Sequence, residues 1–380
     1  MRCLRIVVAP DKFRGSLGAA EAAEAIARGL RRSACAADIV CVPMADGGEG
    51  TVDVFLAAGA DARTQRVRGP LGAPVPATFA FADELAVLEM ASAAGLALVP
   101  PDERAPLAAS TAGVGDLLRA ALDAGARRVV LGIGGSATTD GGAGFLTALG
   151  VRFLDAAGVP LPPGGAALTR LATIDTSGLD PRLAVTRIDV ACDVDVPLLG
   201  PAGAARMFGP QKGASPADVL ELEAGLARFA DATANASGRD QRGEPGAGAA
   251  GGLGFALVAY LGAALVPGVE LIADIRGLRA ALDGADLCLT GEGRIDDQTL
   301  RGKTVAGVAR LARDVGVPVV AFAGSVELAV EPELRRLGVA AVLPIANRPM
   351  SLAAALAEAP ELLEAAAARV GGLVALGGGR

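Results

Sequence analysis

Short apolar runs alternating with segments of helical periodicity constrain this chain more than any other feature. Residues 4–9 form a β-branched run, and Ser16 then stands where an N-cap would open a helix over residues 17–32. Residues 39–44 read as a second strand, ending in a glycine-rich turn before a helix at 51–58. Ser110 or Thr111 opens an amphipathic helix with Val114, Leu117, Leu118, Ala121 and Leu122 on one face and Gly125 as its stop. Residues 128–133 follow as a strand, and 285–290, 317–322 and 339–345 are three more, separated by helical segments. Alternation of this kind predicts an α/β fold with a parallel, doubly wound sheet. The middle is less regular: 69–73 and 155–165 are turn-rich, and 232–254 is loop-like. Similar texture at both ends around a different middle predicts two α/β domains. One comprises residues 1–66 plus 285–380, and the other is inserted over 67–284. The alanine-rich stretch 353–368 reads as a surface helix.

Composition narrows the chemistry. Among 380 residues there is no histidine, which removes histidine triads, histidine-ligated zinc and histidine as a general base. The five cysteines are scattered and never form a CxxC pair, as in a reducing compartment. A formal net charge of −7 argues against a nucleic-acid partner. The apolar run at 4–10 carries Arg5 and is too short for an export signal. The uncharged stretch 245–269 opens with glycines and leaves too little helix to span a membrane, so it reads as a buried helix. A cytoplasmic protein is expected, with the oligomeric state open, a homodimer included.

Five polar, glycine-rich segments lie at strand ends or between elements: Ala9-Pro-Asp-Lys-Phe-Arg-Gly-Ser16, Pro43-Met-Ala-Asp-Gly-Gly-Glu-Gly-Thr51, Gly132-Ile-Gly-Gly-Ser-Ala-Thr-Thr-Asp-Gly-Gly-Ala-Gly144, Phe208-Gly-Pro-Gln-Lys-Gly-Ala214, and Thr290-Gly-Glu-Gly-Arg-Ile-Asp296, the last leading to Arg301-Gly-Lys-Thr304. Ligands of open α/β sheets bind beyond the carboxyl ends of strands, where such loops gather. Glycine lets backbone N–H groups approach phosphate oxygens. Gly302-Lys303-Thr304 lacks the earlier glycine of a P-loop, because position 297 is Asp. Gly132, Gly134 and Ala137, followed by Asp155, half-match a dinucleotide fingerprint and keep an NAD(P)-dependent oxidoreductase open as an alternative. A binding module without catalysis is a third reading.

The carboxylates Asp46, Glu49, Asp140, Asp193, Glu292 and Asp296 stand in the same loops as Lys12, Arg14, Lys212, Arg294 and Lys303. Phosphoryl transfer needs this set of parts: cations over the phosphates, carboxylates for a metal ion, and a carboxylate to accept the hydroxyl proton. Asp46 and Glu292 are the candidate Mg²⁺ ligands. Gly47, Gly48, Gly134, Gly135 and Ser136, with Thr138 and Asp140 in the same loop, are the candidate ATP cradle. Asp193 or Asp296 is the candidate base, Lys303 a catalytic cation, and Arg14, Lys212 and Arg294 the candidate substrate-binding cations.

Taken together, these segments resemble the type I glycerate kinase family. The matching stretches are 9–17, 43–53, 132–150, 191–197, 208–215, 245–254 and 289–307, in family order. The resemblance implies ATP- and Mg²⁺-dependent phosphorylation of D-glycerate, at the 2-hydroxyl in preference to the 3-hydroxyl. It also implies a flavodoxin-like parallel-sheet domain formed by both chain ends, a second α/β domain inserted in it, and an active site in the cleft between them. The chain departs from the family pattern at Lys12, where a small residue is usual, at Arg14 for Lys, at Thr139 for Asn, and at Arg301 for His.

Overall fold

The computed structural model describes residues 3–300 and 302–377. Arg301, singled out above, lies outside the described residues. The chain divides into two compact units, Met1–Asp46 with Pro267–Arg380, and Gly47–Val266. The division falls some twenty residues before each cut expected from the sequence, for identifiable reasons. Residues after Asp46 build the helix Thr51–Leu56 and a strand that pairs into the second unit's sheet. Residues after Pro267 build the helix Gly268–Arg276, whose Val269 packs against Gly307 of the first unit's helix Thr304–Asp314.

The first unit is a five-stranded, wholly parallel sheet of β1 (Leu4–Val8), β2 (Ala37–Cys41), β11 (Leu287–Ile295), β12 (Val319–Val326) and β13 (Val339–Pro344). Their order across the sheet is β2-β1-β11-β12-β13, the 2-1-3-4-5 order of flavodoxin-like folds, with a topological switch point between β1 and β11. Ile6, Val7 and Val8 are all buried, as expected of a strand covered on both faces. The first helix begins at Ala19, two residues later than the sequence implied. Phe13 and Leu17 instead pair across a tight loop, and the Ser16 hydroxyl donates to the Phe13 carbonyl. The alanine-rich C-terminal helix Ala359–Gly377 is no surface helix. Leu362, Leu363, Ala366, Ala367 and Val370 are buried, and the helix lies against Ala19–Arg32. Gly29 permits that approach, because a Cβ there would overlap the Glu364 carbonyl oxygen.

The second unit holds a six-stranded sheet of order β10-β9-β6-β5-β4-β3. Strands β5 (Leu85–Glu89), β6 (Arg128–Gly132), β9 (Arg187–Ala191) and β10 (Ala264–Val266) run parallel, while β3 (Asp61–Arg68) and β4 (Pro74–Ala82) add an antiparallel edge. A separate two-stranded antiparallel sheet pairs β7 (Arg152–Leu154) with β8 (Thr173–Asp175). The helix Ala112–Asp123 buries the five apolar residues its periodicity singled out. The few aromatics are concentrated: Phe229 meets Phe153 and Phe255 edge-on at 5.4 Å and stacks on Tyr260 at 6.1 Å. The helix Pro216–Ser237 opens on a Ser215–Asp218 capping box and runs through part of the stretch expected to be loop. The uncharged segment forms the helix Ala249–Leu261, broken by a kink at Ala250, Gly251 and Gly252, whose φ values are positive, and buried as far as Leu257. No described helix is long and apolar enough to cross a membrane.

Two glycines of the first unit's helix pair provide a test. Gly29→Ala should lower the unfolding midpoint, by about 1–3 kcal/mol of overpacking in denaturant titration. Gly372→Ala, on the same C-terminal helix with nothing within 4 Å of its Cβ position, should be neutral or stabilising by about 0.5–1 kcal/mol. Equal effects from the two would contradict the packing described.

Candidate functional site

Backbone stacked on backbone forms the carboxyl edge of the second unit's sheet. A Cβ on Gly132, the last residue of β6, would overlap the Gly47 carbonyl, and one on Gly47 would overlap the Ala191 side chain at the end of β9. A Cβ on Gly134 would come within 3.2 Å of Gly48 Cα. The two glycine loops therefore lie side by side over the ends of β6 and β9. Gly47 and Gly135 adopt φ of +83° and +73°, conformations glycine takes without strain. Gly134 and Gly135 are exposed and Ser136 half-buried, so the turn presents its backbone to solvent.

Buried side chains hold both loops from beneath. The Glu89 carboxylate, at the end of β5, accepts the Val52 backbone N–H at 2.6 Å, and the Thr51 hydroxyl donates to the Gly48 carbonyl at 2.7 Å. In the other loop, Leu96 N–H donates to Gly135 O at 2.8 Å and Ala137 N–H to Ala94 O at 2.9 Å. Asp140 is wholly buried. Its carboxylate accepts N–H groups from Thr111 (2.8 Å), Gly142 (3.1 Å) and Gly144 (3.2 Å) and the Thr111 hydroxyl at 2.9 Å. Burial pushes its carboxyl up, and these hydrogen bonds oppose the shift. Thr138 is likewise wholly buried, and Lys212 almost so, with its ammonium donating to the Thr138 carbonyl at 2.6 Å. Asp140, Thr138 and Lys212 thus support the loop from inside and do not face solvent. Asp193 is exposed, two residues past the end of β9.

The first unit gathers charge at its switch point. Asp11 and Glu292 follow the ends of β1 and lie within β11, both buried. Asp11 accepts the Thr304 hydroxyl and the Lys12 N–H, the latter at 2.6 Å, and Glu292 accepts the Thr299 hydroxyl at 2.7 Å. Burial first, then the neighbouring carboxylates, push Asp11 up to about 6 and Glu292 up to about 7. Asp46 repels both, and Lys303 partly offsets the charge at Glu292. Two of these residues, Asp46 and Glu292, were the candidate metal ligands. Asp11 was missed, although it stands at a strand end in a segment already singled out for its cations. Among the described residues no three acidic or cysteine side chains could hold an ion by themselves. The hard carboxylate oxygens fit Mg²⁺ nonetheless, since this ion is usually held by one or two carboxylates with phosphate oxygens and water.

The remaining candidates separate clearly. Arg14 is exposed at the tip of the Phe13–Leu17 loop, and its side chain has no ion-pair partner among the described residues. Arg294 is engaged by Glu327 and by Asp296 at 3.1 Å. Asp296 also accepts the Gln298 N–H at 2.9 Å, capping the short helix Asp297–Leu300. The dinucleotide reading finds no support. Asp155 closes a turn by accepting the N–H groups of Ala157 (2.9 Å) and Val159 (3.0 Å), and the next helix after Gly132 begins only at Ala143.

The raised carboxyls predict a signed pH effect. Folded Asp11 and Glu292 hold their protons more tightly than the unfolded chain, so their contribution to stability is greatest at low pH. It declines as pH rises through about 6 and about 7. Glu292→Gln should flatten the fall in unfolding midpoint between about pH 4.5 and about pH 8. An unchanged pH dependence would contradict the burial of this charge.

Comparison with known proteins accords with this arrangement. A sequence model of the glycerate kinase family matches residues 6–375. A glycerate kinase of Bacillus subtilis is 51% identical over 327 residues, 85% of each chain, and one of Halalkalibacterium halodurans is 47% identical over 96% of this chain and 97% of its own. The glycerate 2-kinase of Escherichia coli K12 is 48% identical over 85% of each chain. A crystal structure from Salmonella typhimurium LT2, assigned as glycerate kinase 2, matches with a TM-score of 0.90 at 44% identity, covering 99% of this chain and 100% of that one. The chain therefore belongs to the glycerate kinase family, and it is an enzyme of that family.

Proposed function

We propose that this enzyme transfers the terminal phosphoryl group of ATP to the 2-hydroxyl of D-glycerate, with Mg²⁺ present. The observation that carries the reading is the exposed Gly134, Gly135 and Ser136 turn beside Gly47 and Gly48, at the carboxyl ends of parallel strands. Exposed backbone N–H groups in such turns suit phosphate oxygens. The E. coli relative's name, glycerate 2-kinase, supports the 2-hydroxyl over the 3-hydroxyl.

The positions of the residues support the following roles. Gly47, Gly48, Gly134, Gly135 and Ser136 bind the phosphates. Asp46 and Glu292, with Asp11 beside them, would hold Mg²⁺, which when bound neutralises charge on the phosphates. Lys303 places a further positive charge near Glu292. Arg14 binds the glycerate carboxylate, a task for which its fork geometry suits it. Arg294 is a weaker candidate, because Glu327 and Asp296 already engage it. Asp193 takes the hydroxyl proton as the new O–P bond forms and the bridging O–P bond of ATP breaks, with the electron pair leaving on ADP. Asp296, whose carboxylate pairs with Arg294 and caps a helix, is the second candidate for the base. Transfer to glycerate also needs water kept from the phosphoryl group. The protein's soluble, cytoplasmic setting and its assembly as a homodimer belong to the same proposal.

Steady-state kinetics test the base. Asp193→Asn should lower kcat roughly a thousandfold with the KM for ATP within about threefold, whereas Asp296→Asn should stay within about tenfold of the parent. Near-normal turnover in Asp193→Asn would remove the assignment.

A further inference from the structure

Among the described residues Lys212 is the most buried cation, at 2% exposure, and no surface chemistry explains it. It ends the turn Pro210–Lys212, which Gly213 closes at φ +95° and which Arg104 braces by donating to the Gln211 carbonyl at 3.0 Å. From there its stem reaches inward, and the ammonium donates to the Thr138 carbonyl at 2.6 Å. Among the described residues it is the one donor to that carbonyl. The backbone around it is closely packed, because a Cβ on Gly251 would overlap the Thr138 carbonyl oxygen and one on Gly165 the Thr139 carbonyl oxygen. The backbone at 138–139 is thus walled by glycines on two sides and tied by a single charged hydrogen bond.

Keeping a lysine here is expensive. Burial pushes its ammonium down to about 7, with only Asp140 opposing the shift. In some proteins a buried charge of this kind fixes a geometry that weaker contacts leave loose. The geometry in question lies two residues upstream, at the exposed turn. Asp140 secures the far end of the same loop through the N–H groups of Gly142 and Gly144.

We propose that Lys212 is a positioning residue: through the Thr138 carbonyl it holds the Gly134, Gly135 and Ser136 turn in the shape that receives phosphate. The second half of that statement rests on the function proposed above, and the first half does not. Removing the ammonium leaves a buried carbonyl without a donor, and the strand of backbone above it loosens.

The test uses Lys212→Met in the full chain, with Lys212→Gln in reserve should Met not fold and Lys212→Arg as the conservative variant. Amide hydrogen exchange over residues 134–139 should speed up about tenfold or more, while the buried helix Ala112–Asp123 exchanges as in the parent. The KM for ATP should rise about tenfold, with kcat and the KM for glycerate within about threefold, and Lys212→Arg should recover part of the loss. Faster loop exchange with an unmoved KM for ATP would uphold the positioning role and contradict the phosphate reading. Unchanged exchange over 134–139, or acceleration spread evenly over the unit, would overturn the positioning role whatever the kinetics show.

Discussion

Backbone can lie on backbone only where side chains are absent, and the second unit's carboxyl edge is built on that constraint. Gly132 sits against the Gly47 carbonyl, Gly134 beside Gly48, and Gly47 on Ala191. Any larger residue at these points would push the two loops apart. The approach leaves the Gly134–Gly135 backbone open to solvent and places a demand for internal hydrogen bonds beneath it, which the buried Thr138 and Thr139 hydroxyls alone leave unmet among the described residues of the loop. That demand accounts for the buried Glu89, Asp140, Thr111 and Lys212, which would otherwise be improbable occupants of an interior.

The first unit meets a different requirement at its own strand ends. Asp11, Asp46 and Glu292 repel one another across the switch point of a 2-1-3-4-5 sheet, and burial sharpens the repulsion. Such a cluster costs folding energy that packing elsewhere must supply. The apolar contact between the helices Ala19–Arg32 and Ala359–Gly377 is one source of it. A family of kinases makes sense of the cost, since phosphoryl transfer needs positioned carboxylates and cations more than covalent chemistry. The absence of histidine is then no handicap.

Much of the fold was legible because strand and helix periods are local properties. The helix Ala112–Asp123 and the strands at both chain ends followed directly from them, and the flavodoxin-like order followed from the family resemblance. What was not legible depends on long-range partners. The unit boundaries depend on which sheet β3 joins and on where Val269 packs. The helix Ala359–Gly377 looked like surface until Gly29 of a distant helix came against it. In the sequence Lys212, Arg14 and Arg294 are equivalent loop cations. In the structure the first is buried under a carbonyl, the second is exposed, and the third is engaged by two carboxylates. In the sequence Asp11 is one more loop carboxylate, and its burial depends on Thr304, far along the chain.

The central proposal is that this enzyme of the glycerate kinase family transfers a phosphoryl group from ATP to the 2-hydroxyl of D-glycerate. Phosphorus NMR of the enzyme with ATP, D-glycerate and Mg²⁺ tests it most directly, since donor and position are read together. The account predicts ADP and a new phosphomonoester resonance split into a doublet by the single hydrogen on the phosphorylated carbon. A triplet would move the phosphate to the 3-hydroxyl, and persistence of ATP beside unmodified glycerate would contradict the account altogether.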